Sequence, residues 1–138
     1  MTQVFARETE ALLSINPEVV RAIGCSVFAY REEGTGGLEV LETGAGWEIR
    51  ELTVEELYIR ECGMLRAEED RLRAKAVEWL ERAARWKSES TKAEYQRVAG
   101  LEMAKADLVA KQIQSLMAAR TKQIVAAHRA AQPNSEVA

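Results

Sequence analysis

The feature that most constrains this fold is a long stretch of chain without helix-breaking residues. From residue 53 to residue 131 the chain holds only two glycines, Gly63 and Gly100, and no proline lies between Pro17 and Pro133. Proline breaks a helix interior, and glycine there costs about 1 kcal/mol relative to alanine. The stretch is therefore predicted to be almost entirely helical.

A compound signal marks the start of this helical stretch. Thr53 lies three residues before Glu56, which is the spacing of a capping box. Leu52 precedes the cap and Leu57 follows it, at the spacing of a hydrophobic staple. These four residues predict a helix that begins at Thr53 and is entered from a strand.

An apolar stripe with alternating steps of four and three residues runs along the first part of the stretch, as in a coiled-coil seam. Its members are Tyr58, Cys62, Leu65, Glu69, Leu72, Ala76, Trp79, Ala83 and Trp86. A facing set further along the chain comprises Val98, Leu101, Leu108, Val109, Ile113, Leu116, Met117 and Ile124. The two sets predict a pair of packed helices.

The segment between the two sets, KSESTKAE, is rich in hydroxyl residues, and its Thr91 and Glu94 match a second capping box. We predict an antiparallel hairpin with its turn near residues 87–91. The alternative is one helix of about 79 residues and roughly 118 Å, which would find its partner in another chain. In the hairpin, Trp79 would lie across Gly100, so that a large side chain meets a small one.

Residues 1–52 are predicted to form a small α/β head. Residues 3–14 have the spacing of a short amphipathic helix, and residues 16–24 fit a second, very short helix or a turn. Three strand-like segments follow, over 25–32, 38–42 and 47–52, separated by the glycine-rich turns EGTGG and TGAG. They predict an antiparallel meander covered by the N-terminal helix and by the start of the long helix.

The predicted fold class is therefore α+β: a short N-terminal helical segment and a three-stranded antiparallel β-meander, followed by two long α-helices that form an antiparallel hairpin. The head spans residues 1–52, the hairpin spans 53–131, and a flexible tail spans 132–138. At 138 residues, 47% of them hydrophobic, the chain is long enough to bury a core without disulfides.

Charge and cysteine usage indicate where such a protein works. The net charge of −3 is distributed as −4 over residues 1–50, −2 over 51–90 and +4 over 91–131, with Glu136 supplying the last −1. The two cysteines form no CxxC pair and are interpreted as reduced thiols. No signal peptide and no apolar run of roughly 20 residues is visible, so we expect a cytoplasmic protein without a membrane span.

No residue set predicts catalysis, a metal site or a cofactor, and we expect the protein not to be an enzyme. His128 is the only histidine, and the glycine turns match no phosphate-binding loop. The consecutive acids Glu68–Asp70 fan out around the helix axis. Only Glu69 lies on the seam, where it could pair with Lys105 or Lys111 across the hairpin.

The candidate partner surface lies near the predicted turn. Its members are Trp79, Arg82, Arg85, Trp86 and Tyr95. Tryptophan and arginine are over-represented at binding hot spots, so we expect a larger protein partner for an inhibitor, adaptor or assembly chaperone. The other interpretation makes both tryptophans part of the hairpin core.

Two alternatives belong to other functional classes. In the first, the basic second helix binds single-stranded nucleic acid in recombination or replication, with the tryptophans stacking on bases. That helix carries Lys105, Lys111, Arg120, Lys122 and Arg129. In the second, the chain is a structural coiled-coil homodimer.

The phrase WEIRELTVEELY, residues 47–58, resembles the strand-to-helix phrase of phage tail-assembly chaperones. Proteins of that kind are small, with a strand pair that leads into helices. The likeness covers about a tenth of the chain and does not identify a family. It implies an assembly role for a phage protein, which is one form of the expected binding module.

Overall fold

The computed structural model describes residues 3–16, 20–23, 28–31 and 36–132. The elements in chain order are β1 (Val4–Phe5), α1 (Glu8–Ser14), β2 (Arg21–Ala22), β3 (Phe28–Tyr30), β4 (Gly37–Thr43), β5 (Gly46–Leu52), α2 (Val54–Ala84) and α3 (Glu89–Ala130). The predicted α+β fold class is confirmed. Cys25, most of the EGTGG turn and all but Gln132 of the predicted tail lie outside the described residues.

The chain divides into two compact units, Met1–Glu61 and Cys62–Ala138. The division falls inside α2, so about two turns of this helix belong to the first unit. The two units differ in charge. Residues 1–61 carry five basic and twelve acidic side chains, a net −7, and residues 62–138 carry fourteen and ten, a net +4.

The first unit is built on an antiparallel sheet with the strand order β1-β5-β4-β3-β2. The predicted meander is its centre, β3-β4-β5, and the TGAG turn joins Thr43 to Gly46 as expected. Gly46 has a φ of +137°, and a side chain there would meet the carbonyl oxygen of Phe5. Glycine is therefore required where β1 passes close to the hairpin.

Two predictions about the N-terminal region are wrong in part. The first helix begins at Glu8, because Val4 and Phe5 pair with β5 as an edge strand. The Val20 N–H donates to the carbonyl oxygen of Asn16 (3.1 Å), and Arg21–Ala22 then pairs with β3 as strand β2. The predicted second helix therefore does not extend through Arg21–Ala22, and residues 17–19 and 24 of this segment lie outside the described residues.

The sheet is covered by α1 and by the start of α2, as the sequence predicts. Ala11 of α1 is fully buried, and Leu57 of α2 is 2% exposed. A Cβ atom at Gly37 would lie 3.3 Å from Cδ1 of Leu57 and would overlap the carbonyl oxygen of Ala29. The helix start thus packs directly on a strand that has no side chain at that point.

The predicted capping box at the start of α2 is confirmed. The Glu56 N–H donates to Oγ1 of Thr53 (3.1 Å), and the Thr53 N–H donates to Oε1 of Glu56 (3.3 Å). Leu52 and Leu57 are both buried, as a staple requires. The hydrogen bond from the Thr53 backbone, together with contact to Arg50, lowers the pKa of Glu56 below its ordinary 4.5.

In the second unit, α2 and α3 pack antiparallel, so the hairpin is confirmed and the single continuous helix is wrong. The connection is residues 85–88, slightly earlier than predicted. Ser88, and not Thr91, is the N-cap of α3, since its hydroxyl oxygen accepts from the Thr91 N–H (3.5 Å).

The seam of α2 is the predicted one, and the seam of α3 is predicted only in part: of the predicted set, Ile113 is buried and Val98, Val109 and Leu116 are half-buried. Buried α3 residues are Ala99, Glu102, Ala106 and Ile113, at the alternating three and four steps of a heptad. The predicted Leu101, Leu108, Met117 and Ile124 are instead 42–60% exposed. Ala99, Glu102, Ala106 and Ile113 form the contact line, and Leu101 and Leu108 face away from it.

The predicted register is wrong as well. Trp79 stacks on Tyr95, and a Cβ atom at Gly100 would meet nothing within 4 Å. Glu69 accepts from Arg73 on its own helix (2.8 Å) and does not pair with Lys105 or Lys111. Arg73 in turn bonds Asp107 of α3 (3.2 Å), so the polar link across the hairpin runs through the arginine.

Candidate partner-binding surface

Three aromatic rings meet at the loop end of the hairpin. The ring centroids of Trp79 and Tyr95 are 5.5 Å apart, with 25° between the ring planes. Those of Trp86 and Tyr95 are 6.2 Å apart, at 31°. Tyr95 therefore contacts both tryptophans, Trp79 on α2 and Trp86 in the connection that follows it. We call these three residues the ring cluster.

An arginine extends the ring cluster. The guanidinium carbon of Arg82 lies 4.9 Å from the centroid of the Trp79 ring, a cation–π distance. Its Nη2 also donates to Oε1 of Glu78 (2.8 Å), so two contacts hold the side chain. Arg85 is exposed, and no ion pair or ring contact joins it to another described residue.

Burial separates the two tryptophans. Trp79 and Tyr95 are each less exposed than Trp86, which is 50% exposed. The core interpretation therefore fits Trp79, and the surface interpretation fits Trp86. Of the five predicted contact residues, the structure brings together all but Arg85, and their role toward a partner stays a prediction.

Only some of the charges around the ring cluster are paired locally. Arg97 donates from Nε (3.1 Å) and Nη2 (2.5 Å) to the two carboxylate oxygens of Glu94, and this lowers the pKa of Glu94. Arg85 and Lys87 form no ion pair with any described residue. The exposed ring of Trp86 is thus flanked by uncompensated positive charge on both sides in sequence.

The basic set proposed for nucleic acid is divided by the structure. Lys105 lies 3.7 Å from the carboxylate of Glu102, and Arg120 is half-buried, with Nη1 donating to Gln123 (3.4 Å). The remaining three, Lys111, Lys122 and Arg129, are exposed and form no ion pair with a described residue. The five residues do not form one continuous basic track.

Sequence reasoning missed a groove between α2 and α3 with a volume of about 400 Å³. Its lining includes Glu102, the one charged residue that is buried in the described part of the chain. Lys75 and Lys105 stand at its rim, and Leu72 and Val109 contribute apolar surface. The sequence signal for this line of α3 was the four-and-three spacing of Tyr95, Ala99 and Glu102. It was not recognised, because glutamate is unusual at a seam position.

No group of three or more acidic, histidine or cysteine side chains among the described residues is placed to hold a metal ion. Within the same residues, no helix is long and apolar enough to cross a bilayer. Comparison with protein-family models, with curated proteins and with solved structures finds no match.

Proposed function

We propose that this chain is a non-catalytic protein-binding module that presents the loop end of its hairpin to a larger partner. The observation that carries the proposal is Trp86, half exposed and held against Tyr95. An inhibitor, an adaptor or a phage assembly chaperone would each use such a surface. We place its action in the cytoplasm, where the buried thiol of Cys62 would stay reduced.

Preorganisation is the physical reason for choosing Trp86. Ordering a side chain on binding costs about 0.5–1.5 kcal/mol, and a ring that already rests on Tyr95 avoids part of that cost. Tryptophan, tyrosine and arginine dominate binding hot spots. The ring cluster with Arg82 and Arg85 contains all three residue types beside one half-exposed apolar face.

The test is affinity capture from a lysate of the source cells with three baits: the wild type, Trp86→Ala and Ile59→Ala. Ile59 is a suitable control, because it is 54% exposed and belongs to the first unit. We expect a stoichiometric protein partner with the wild type and with Ile59→Ala, and its loss with Trp86→Ala. Equal capture by all three baits would contradict the proposal.

The second candidate is binding of single-stranded nucleic acid, favoured by the unpaired Lys111, Lys122 and Arg129. Lys111 lies sixteen residues beyond Tyr95, about 24 Å along a helix, so rings and cations would have to contact distant nucleotides. Capture that disappears after nuclease treatment would favour this candidate. The coiled-coil dimer has less support, because α3 of the same chain already covers the seam of α2.

A further inference from the structure

Ion pairing changes abruptly along the two long helices. Six ion pairs join a cation to an acid three or four residues before it, from Glu68–Arg71 at one end to Glu102–Lys105 at the other. Beyond residue 107 the pattern stops. Residues 108–132 hold four basic side chains and no acidic one, so this part of α3 has no counter-charge of its own.

The missing counter-charge can be traced to the residues three and four positions before the cations. The positions three and four residues before Lys122 are Ala119 and Ala118, and those before Arg129 are Ala126 and Val125. At Lys122 and Arg129, small or apolar residues therefore stand where the six ion pairs place a glutamate, whereas Lys111 follows Asp107, which bonds Arg73 instead.

The unpaired cations share one face of α3. Alternating steps of four and three residues, the repeat of a helix-packing seam, connect six exposed residues, which we call the outer stripe. They are Lys111, Ser115, Ala118, Lys122, Val125 and Arg129. At about 1.5 Å per residue the stripe is about 27 Å long. It lies on the side of α3 opposite the seam residues Ala106 and Ile113, as helical periodicity requires.

We infer that the outer stripe is a docking surface for an acidic amphipathic helix of another protein. Val125, 42% exposed, supplies apolar contact along the stripe. Lys111, Lys122 and Arg129 supply the charge that a partner's glutamates or aspartates would neutralise. The inference is independent of the proposed role of Trp86, because the two surfaces do not share a residue.

Charge selects this occupant over the others. Two outer stripes packed in parallel would place each lysine beside its copy, and antiparallel packing would supply no acid to either. A nucleic acid would leave Val125 and the 60%-exposed Leu108 uncovered, and residues 96–132 contain no tryptophan, tyrosine or phenylalanine for stacking. The same absence makes the face unlike membrane-surface helices that insert tryptophan or phenylalanine.

The probe is a fluorescently labelled, designed helix of 21 residues, with leucine at the heptad a and d positions and glutamate elsewhere. The full chain is titrated into this probe, and fluorescence anisotropy measures binding. The same helix with lysine in place of glutamate is the charge control. We expect the wild type to bind the acidic helix, to lose affinity as sodium chloride is raised, and to ignore the lysine helix. Absence of binding to the acidic helix, or equal binding to both helices, would overturn the inference.

Two triple variants locate the binding. Lys111→Glu, Lys122→Glu and Arg129→Glu together should weaken binding by about tenfold or more, since like charges would then face each other. The matched triple changes the exposed, unpaired cations Arg7, Arg66 and Lys75 to glutamate and alters net charge equally. It should stay within about twofold of the wild type, and equal losses in both triples would overturn the inference.

Further measurements distinguish the acidic helix from other ligands of the outer stripe, and the outer stripe from the surface around Trp86. The glutamine versions of the stripe substitutions serve if the charge-reversed triple loses helical circular dichroism, and they should also weaken binding. Binding of an oligothymidylate or of anionic vesicles at the same residues, tighter than that of the acidic helix, would overturn the acidic-helix assignment. A homodimer that is abolished by the three glutamate substitutions in the stripe would overturn it as well. Trp86→Ala should bind the acidic helix as the wild type does, so that either proposal can fail alone.

Discussion

Gly100 gives the sharpest test of how α2 and α3 pack. A Cβ atom at this position would meet nothing within 4 Å, and the residue lies well inside α3. Alanine has a helix propensity about 1 kcal/mol better than glycine, and leucine is close to alanine. Both Gly100→Ala and Gly100→Leu should therefore stabilise the protein, by about 0.5–1 kcal/mol.

The opposite sign follows if Trp79 covers Gly100, as the sequence alone suggested. Leucine would then be forced into a filled contact, and overpacking of that kind costs about 1–3 kcal/mol. The two arrangements thus differ by roughly 2–4 kcal/mol for one substitution. Such a difference is large against a total stability of about 5–15 kcal/mol.

The assay is urea unfolding followed by far-ultraviolet circular dichroism, which reports on the long helices. Gly63→Ala is the matched control, because a Cβ atom there is equally unobstructed and should give a similar gain. Gly37→Ala is the reverse control and should be strongly destabilising, since its Cβ would overlap the carbonyl oxygen of Ala29. Loss of more than about 1 kcal/mol in Gly100→Leu, beside a gain in Gly63→Ala, would refute the packing described above.

Three further predictions concern stability. Trp79→Ala should lower the free energy of unfolding by about 3 kcal/mol, because it removes a half-buried ring stacked on Tyr95, and chemical denaturation measures this. Trp86→Ala should cost less than about 1 kcal/mol by the same assay, since half of that side chain is already exposed. Thr53→Ala should cost about 1 kcal/mol by removing the helix cap. The pKa of Glu56 is lowered in the folded state. The contribution of ionised Glu56 to the free energy of unfolding should therefore be complete above pH 4.5 and be lost as the pH falls through the lowered pKa. Acid unfolding of Glu56→Gln compared with the wild type measures this.

Local signals in the sequence were sufficient where the relevant interactions are local. The capping box of Thr53 and Glu56 acts over three residues, and both of its hydrogen bonds are present. The β4–β5 turn is fixed by glycine at Gly46, whose φ no other residue adopts easily. The α2 seam follows from a repeat that its own residues carry.

Other features depend on contact with a distant segment of the same chain, which the local sequence does not reveal. A two-residue strand such as Val4–Phe5 exists only because β5 offers an unpaired edge, and its sequence alone fits a helix equally well. Ala99, Glu102 and Ala106 of the α3 seam were missed, because alanine is a weak hydrophobic signal and glutamate is a contrary one, whereas Ile113 was predicted. Leu101 and Leu108 are strong apolar signals on faces that α2 does not cover.

The candidate site was predictable in composition and not in arrangement. The sequence predicts that Trp79 and Trp86 lie near each other at the turn, because they are seven residues apart. That Tyr95 contacts both of them depends on where the chain turns, and the connection at residues 85–88 precedes the predicted one. Different exposure of the two tryptophans follows from the same geometry, since Trp86 lies beyond the end of α2.

The most direct test of the binding-module account is the affinity of the captured partner for purified Trp86→Ala, measured by isothermal titration calorimetry beside the wild type and Ile59→Ala. The account predicts a loss of about thirtyfold or more for Trp86→Ala, which corresponds to at least 2 kcal/mol of binding energy. It also predicts nearly unchanged melting temperatures for both variants. A Trp86→Ala affinity within about twofold of the wild type would contradict the claim that the loop end of the hairpin makes the contact.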